Sequence, residues 1–210
     1  MPEVTPDSDQ TRGLLDQVGA GNRVALEQLL ERYRSDLQSF VEFHLDLRMR
    51  TRVDPSDVVQ EAQLEVARRM EDFLSRRPMP FNLWVRKTAY QRLLNLRRDH
   101  RGRARRSVDR EQPLPLRSSM LLARPLVHPG PSPSQQLEAR ELAERVGRAV
   151  AGLSEVDREI LLMRHAEELP YEEIACLLEV EAAAARKRYG RALIRLQKVL
   201  AEHGLLGDSP

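Results

Sequence analysis

Residues 97–106 read RRDHRGRARR, six arginines against one aspartate. A cationic run with so little acid to balance it suits the neutralisation of backbone phosphates. Such contacts release condensed counterions and give a salt-dependent affinity without sequence choice. Upstream, Trp84 and Tyr90 carry rings on which unpaired bases can stack. In a chain with 4% aromatic residues, however, Trp84 reads more readily as a core anchor. A second constellation spans Leu169–Leu196: a short helix, a three-residue turn and a longer helix, locked by Ile174, Ala175, Leu178, Val180, Ala185 and Tyr189. In a helix-turn-helix the second helix enters the major groove, and Arg186, Lys187, Arg188 and Arg191 would then face DNA. The spacing alone leaves open an ordinary helical hairpin with a solvated basic face. The third constellation is acidic. Asp54, Asp57, Glu61, Glu65, Glu71 and Asp72 face only Arg68 and Arg69 over residues 54–72, which fits a docking surface for a basic protein or a solvated face.

Bond-making chemistry has little support. There is no glycine-rich phosphate loop, no metal-spaced His or Asp cluster and no Ser/His arrangement; His44, His100, His128, His165 and His203 are scattered. A nuclease or hydrolase would need carboxylates converging from separate helices. The expectation is therefore a non-enzyme without cofactor or metal. The single Cys176 excludes an internal disulfide and a zinc cluster. Within Ile174–Leu178 it reads as a small core residue.

These residues need helices to position them. Hydrophobic residues make up 41% of the 210 and charged residues 31%, with 34 basic and 32 acidic side chains leaving a net charge of +2. With few aromatics, cores of Leu, Val, Ile and Ala favour helices. Leu26, Leu29, Leu30, Tyr33, Leu37, Phe40 and Val41 recur at spacings of three and four. Asp54-Pro55 starts a helix whose stripe is Val58, Val59, Ala62, Val66, Ala67, Met70, Phe73 and Leu74. Pro78 and Pro80 interrupt it, and a third helix runs from near Phe81 into the arginine cluster. Residues 109–134 hold Pro113, Pro115, Pro125, Pro129, Pro131 and Pro133, an extended linker between a first domain at 11–108 and a second at 135–205. In the second, Ser154 caps a helix over Glu155–Arg164, Pro170 opens a short helix through Leu178, and a long final helix turns Ala185, Tyr189, Ala192, Leu193, Leu196 and Leu200 inward. The fold class is all-α, two small helical domains. The start, MPEVTPDSDQ, is too polar for a signal peptide. No run approaches the roughly 20 apolar residues of a membrane span, so a cytoplasmic protein without membrane insertion is expected.

The segment DPSDVVQEAQLEVARRMEDF (54–73) resembles the second conserved region of sigma-70-family factors, which binds the clamp helices of the polymerase β′ subunit. FNLWVRKTAYQRLLNLRRDHRGRARR (81–106) is similar to the following region, which melts and reads the −10 element. LSEVDREILLMRHAEELPYEEIACLLEVEAAAARKRYGRALIRLQKVL (153–200) is similar to the fourth region, whose helix-turn-helix reads the −35 element. The order matches the extracytoplasmic-function subgroup, which lacks a third domain between them. The resemblance implies polymerase docking by Asp54, Asp57, Gln60 and Glu61. It implies capture of a flipped base at the loop Arg76–Phe81 with Asn82, and −10 contacts from Trp84, Gln91, Asn95, Arg97, Arg98 and Arg101. Arg186, Lys187, Arg188 and Arg191 would make the −35 contacts. The implied partners are core RNA polymerase (β′ clamp helices and β flap), promoter DNA and, as a further candidate, an anti-sigma factor. Three positions depart from the family pattern: Glu179 where Gly is usual, Pro170 for a Ser or Thr cap, and alanine throughout Ala182–Ala185. Alanine donates no hydrogen bond to a base edge, so phosphate contacts and DNA shape would carry more of the readout. The rival reading is a helix-turn-helix regulator that does not bind polymerase, for which the Asp54–Glu61 motif has no use.

Overall fold

The computed structural model describes residues 4–45, 47–50, 52–104 and 133–205, without the side chains of 47, 48, 100–104 and 133. Every regular element among the described residues is a helix. They are α1 (Asp9–Gly19), α2 (Arg23–His44), α3 (Leu47–Arg50), α4 (Pro55–Arg68), α5 (Met70–Arg76), α6 (Phe81–Ala104), α7 (Pro133–Ala151), α8 (Glu155–His165), α9 (Tyr171–Leu178) and α10 (Ala182–Glu202). They fall into two compact units, one built on α1, α2, α4, α5 and α6, the other on α7–α10. Most of the expected linker, residues 109–132, lies outside the described residues. Its last two residues open α7, which starts at Pro133 rather than near Gln135; proline suits a first helical position because its missing N–H would have no partner there.

In the first unit α6 packs against α4 and α2, and α1 lies along α2. Leu29, Leu37 and Val41 of α2, Val58, Val59, Ala62 and Val66 of α4, and Leu83, Val85, Ala89 and Leu93 of α6 are buried. Each large aliphatic side chain removed from water contributes about 1.5–3 kcal/mol. The stripe expected to run through one helix to Leu74 is divided at Arg69, whose N–H bonds the carbonyls of Glu65 and Val66. Met70 and Phe73 stay in phase with the core across the break. The α5–α6 loop comes where the two prolines require it. Arg77, at φ 37°, closes α5 in the left-handed region. Beneath the loop the chain gathers its scarce aromatics: Trp84 stacks on Phe73 at 4.5 Å, and Phe81 meets Phe73 at 5.4 Å and Tyr33 at 5.5 Å. The helix α1 carries no stripe singled out from sequence; Ser8 caps it by accepting from the Thr11 N–H.

In the second unit, Ile160–Met163 of α8, Ile174, Ala175 and Leu177 of α9, and Ala185, Ala192 and Leu200 of α10 form the core with Val146, Ala149 and Val150 of α7. Ser154 caps α8 as expected: its Oγ accepts from the Asp157 N–H at 3.2 Å and donates to the Asp157 carboxylate at 2.6 Å. That carboxylate, 5% exposed, also receives Arg195 of α10 at 2.7 and 2.9 Å. The start of α8 is thereby fastened to α10. Leu193, expected inward, is 36% exposed, and Ile194 beside it is 68% exposed. Cys176 is half-buried, short of the core position expected for it.

Candidate nucleic-acid and protein interfaces

In α9–turn–α10, the turn is closed at Glu179 and Val180, whose N–H groups both reach the Ala175 carbonyl. Glu179 lies at φ 54°, ψ 48°, the left-handed conformation that glycine adopts most cheaply at this position. The departure from the family's glycine is therefore absorbed without a change of turn geometry. Pro170 occupies the N-cap of α9 with no side-chain cap bond. Glu172 and Glu173 in the first turn suit the positive end of the helix dipole.

The helix pair is clamped by a polar aromatic cluster that the sequence reading left unassembled. The Tyr189 hydroxyl lies 2.8 Å from His165 Nε2 of α8, and the Tyr189 ring meets Tyr171 edge-on at 5.8 Å. Burial, reinforced by Tyr171, raises the Tyr189 phenol above its ordinary value, with Arg164 opposing, so the hydroxyl stays protonated at neutral pH. Arg164 and Arg186 lie over the Tyr171 ring at 5.1 and 5.4 Å. Arg186 also donates to Glu172 at 2.7 Å. Of the four expected DNA-facing cations, Lys187 and Arg191 are exposed and Arg188 is half-buried; Arg186 is exposed but bound within the protein. Of the four alanines, Ala185 is wholly buried; Ala182, Ala183 and Ala184 retain some exposure.

On the first unit, α4 turns Asp57, Gln60, Glu61 and Leu64 outward, because Val58, Val59, Ala62 and Val66 take the core side. Asp54 accepts from the Ser56 N–H and hydroxyl, both at 2.8 Å. These bonds hold its carboxyl below the ordinary value, the backbone one having the larger effect. Leu64, 57% exposed, was missed from sequence, although it stands outside the apolar stripe and that displacement is the signal. Between α4 and α6 runs a groove of about 540 Å³ lined by Glu61, Leu64, Arg68, Thr88, Gln91, Arg92 and Asn95. Arg92 bridges it to Glu61, another residue the sequence reading passed over.

The groove brings Gln91 and Asn95 together, and Arg98 donates to Asn95. Asn82 sits at the far end of α6, about 20 Å along the axis from Asn95 at 1.5 Å per residue. Two expected contacts are corrected. Trp84 is 6% exposed in its stack with Phe73 and presents no face to a base. Arg97 is 8% exposed and donates to the His44 carbonyl, which joins α6 to the end of α2 and leaves no guanidinium for phosphate. Tyr90 is buried as well. Arg101 lies on α6, but its side chain falls outside the described residues. Among the described residues no group of His, Cys, Asp and Glu is arranged to hold a metal ion, and no helix is long and apolar enough to cross a membrane.

One of the two all-α units carries a helix-turn-helix with a basic face, and the other an acidic exposed helix beside a polar groove. Residues 143–196 match the family model for Sigma-70, region 4. Over 91% of its length the chain is 27% identical to 95% of the RNA polymerase sigma factor CnrH of Cupriavidus metallidurans. The structure of CnrH in complex with the cytosolic domain of CnrY shares the fold at a TM-score of 0.56 and 21% identity, covering 96% of this chain and 100% of that one. So does the sigma factor RpoE in complex with the anti-sigma factor NepR from Bartonella quintana, at 0.53 and 18%, covering 83% and 96%. The chain is thus similar over most of its length to a sigma factor, with the family-model match confined to region 4.

Proposed function

We infer that this protein binds core RNA polymerase and directs promoter-specific initiation through −10 and −35 DNA contacts. The observation that carries the reading is a region 4 match over a helix-turn-helix in the same chain as an acidic helix with an exposed docking face. A regulator acting on DNA alone leaves that face without a task. In this reading Asp57, Gln60, Glu61 and Leu64 meet the β′ clamp helices, and Asp54 serves chiefly by capping α4. The second unit addresses the β flap and the −35 element, with Lys187 and Arg191 as the principal phosphate contacts and Arg188 beside them. Arg186 contributes mainly by bracing α9 against α10. At the −10 element, Gln91, Asn95 and Arg98 line the melted strand, and the loop Arg77–Pro80 with Asn82 takes the flipped base. Melting costs a few kcal/mol, which a captured base offsets. The residues between the units serve as a linker that sets promoter spacing.

No bond is made or broken by the chain itself, and it works in the cytoplasm. The CnrY and NepR complexes of its relatives support an anti-sigma factor as a further partner. Run-off transcription with core polymerase on genomic promoter fragments tests the reading. Transcripts that appear only with this protein support it. No transcripts and no co-purification with core polymerase would leave the DNA-only regulator.

A further inference from the structure

We propose that Asp7 and Asp16 are positioning residues for base capture, holding the α5–α6 loop from the N-terminal segment; this rests on the base-capture reading above. The start of α6 has no local cap, because Pro78 and Pro80 supply no side-chain oxygen and Pro80 precedes the first helical residue. The missing acceptor comes from 74 residues away: the Asp7 carboxylate accepts from the Phe81 N–H at 2.7 Å and from the Asn82 N–H at 3.2 Å. The Asn82 side chain then accepts from the Leu83 N–H at 2.7 Å. At the other end of the loop, Arg77 donates to Asp16 at 3.0 Å. The loop Arg77–Pro80 is thus bounded on both sides by carboxylates of one short segment. That segment is itself anchored: Thr11, wholly buried, bonds Ser8 at 3.0 Å and the Tyr33 hydroxyl at 2.8 Å, and the Tyr33 ring abuts Phe81.

A carboxylate across two first-turn N–H groups fixes where the helix begins and complements its dipole. It therefore fixes the position of Asn82 and of the loop ahead of it. Recognition of an unstacked base depends on such placement, and a displacement near 1 Å is costly wherever geometry carries the effect. The first unit would fold without these contacts, held by the α2–α4–α6 core, but the loop would lose its register against Asn82.

The test uses the full chain with core polymerase and a promoter carrying 2-aminopurine in turn at each non-template −10 position. The flipped-base fluorescence and its dependence on base identity are read for wild type, Asp7→Ala, Asp7→Asn and Asp16→Ala. Amide exchange at Phe81 and Asn82 is followed in parallel. Asp7→Ala should lower the flipped-base signal and the base preference about fivefold to tenfold, with core and −35 affinities kept and both amides exchanging faster. Asp7→Asn retains an acceptor and should restore most of the loss. Asp16→Ala, at an exposed ion pair, should weaken base preference without lowering the unit's melting temperature. Unchanged preference in Asp7→Ala, unchanged exchange, or a loss that merely follows core binding and is not rescued by Asn overturns the proposal. A wild-type protein that opens the promoter with no flipped-base signal removes the base-capture reading itself, and the proposal with it.

Discussion

Arg97 and Arg98 are adjacent on α6, yet only Arg98 faces water; the helix turns its neighbour under the end of α2, onto the His44 carbonyl. Replacing Arg97 with alanine should cost stability on the order of 1–3 kcal/mol, the range for a lost hydrogen bond from a charged donor, and leave the salt dependence of promoter binding unchanged. Urea denaturation alongside a salt titration separates the two, and a flattened salt slope would return Arg97 to the phosphate contacts. Asp54 shows the same economy at a helix start. Bonds from the Ser56 N–H and then its hydroxyl lower its carboxyl pKa. A depressed folded value means that the cap stabilises above the ordinary carboxylate range and fades as pH falls through the folded value. The melting-temperature gap between wild type and Asp54→Ala should therefore be widest near neutral pH and narrow in acid. A gap constant from pH 7 to pH 3 would count against an ionised cap.

Among the elements, the tight turn between α9 and α10 holds a glutamate where a glycine conformation is needed. An L-residue in the left-handed region loses roughly 1 kcal/mol relative to glycine. Glu179→Gly should accordingly stabilise the second unit by up to about that amount, read as a higher urea midpoint with unchanged slope. Destabilisation would mean that the glutamate side chain contributes more than its backbone costs. The contact between Arg195 and Asp157 is of another kind. The carboxylate is buried while the arginine is 57% exposed, so the pair matters mainly by keeping the buried charge satisfied at the start of α8. Such a pair lies far apart in sequence and no helical period announces it. The same holds for the His165–Tyr189 bond and for Asp7 on α6. The helix starts at Ser154 and Asp54 were legible, because each cap and the N–H it accepts from are local. The start of α6 was not, because its cap is 74 residues distant.

Across the whole molecule, the proposed function assigns an acidic surface to polymerase and a basic one to DNA, so each can be disabled alone. Charge reversal at Asp57 and Glu61, both to Lys, should abolish association with core polymerase. Far-UV helicity and −35 DNA binding should persist, since both side chains point out of α4. Pull-down with core polymerase beside a DNA titration checks this, and retained polymerase binding would move the docking face elsewhere. Legible in the sequence were the all-α class, the apolar stripes of α2 and α4, the breaks at Pro78 and Pro80, and the helix-turn-helix spacing. Each of these is a local matter of period, cap or proline geometry. Only the packed fold puts Arg97 in the interior, leaves Leu64 and Ile194 in water, holds Arg186 on Glu172 and Tyr171, and closes α6 with Asp7. Those facts depend on which faces of distant helices meet, and a one-dimensional pattern does not encode the rotation of one helix against another.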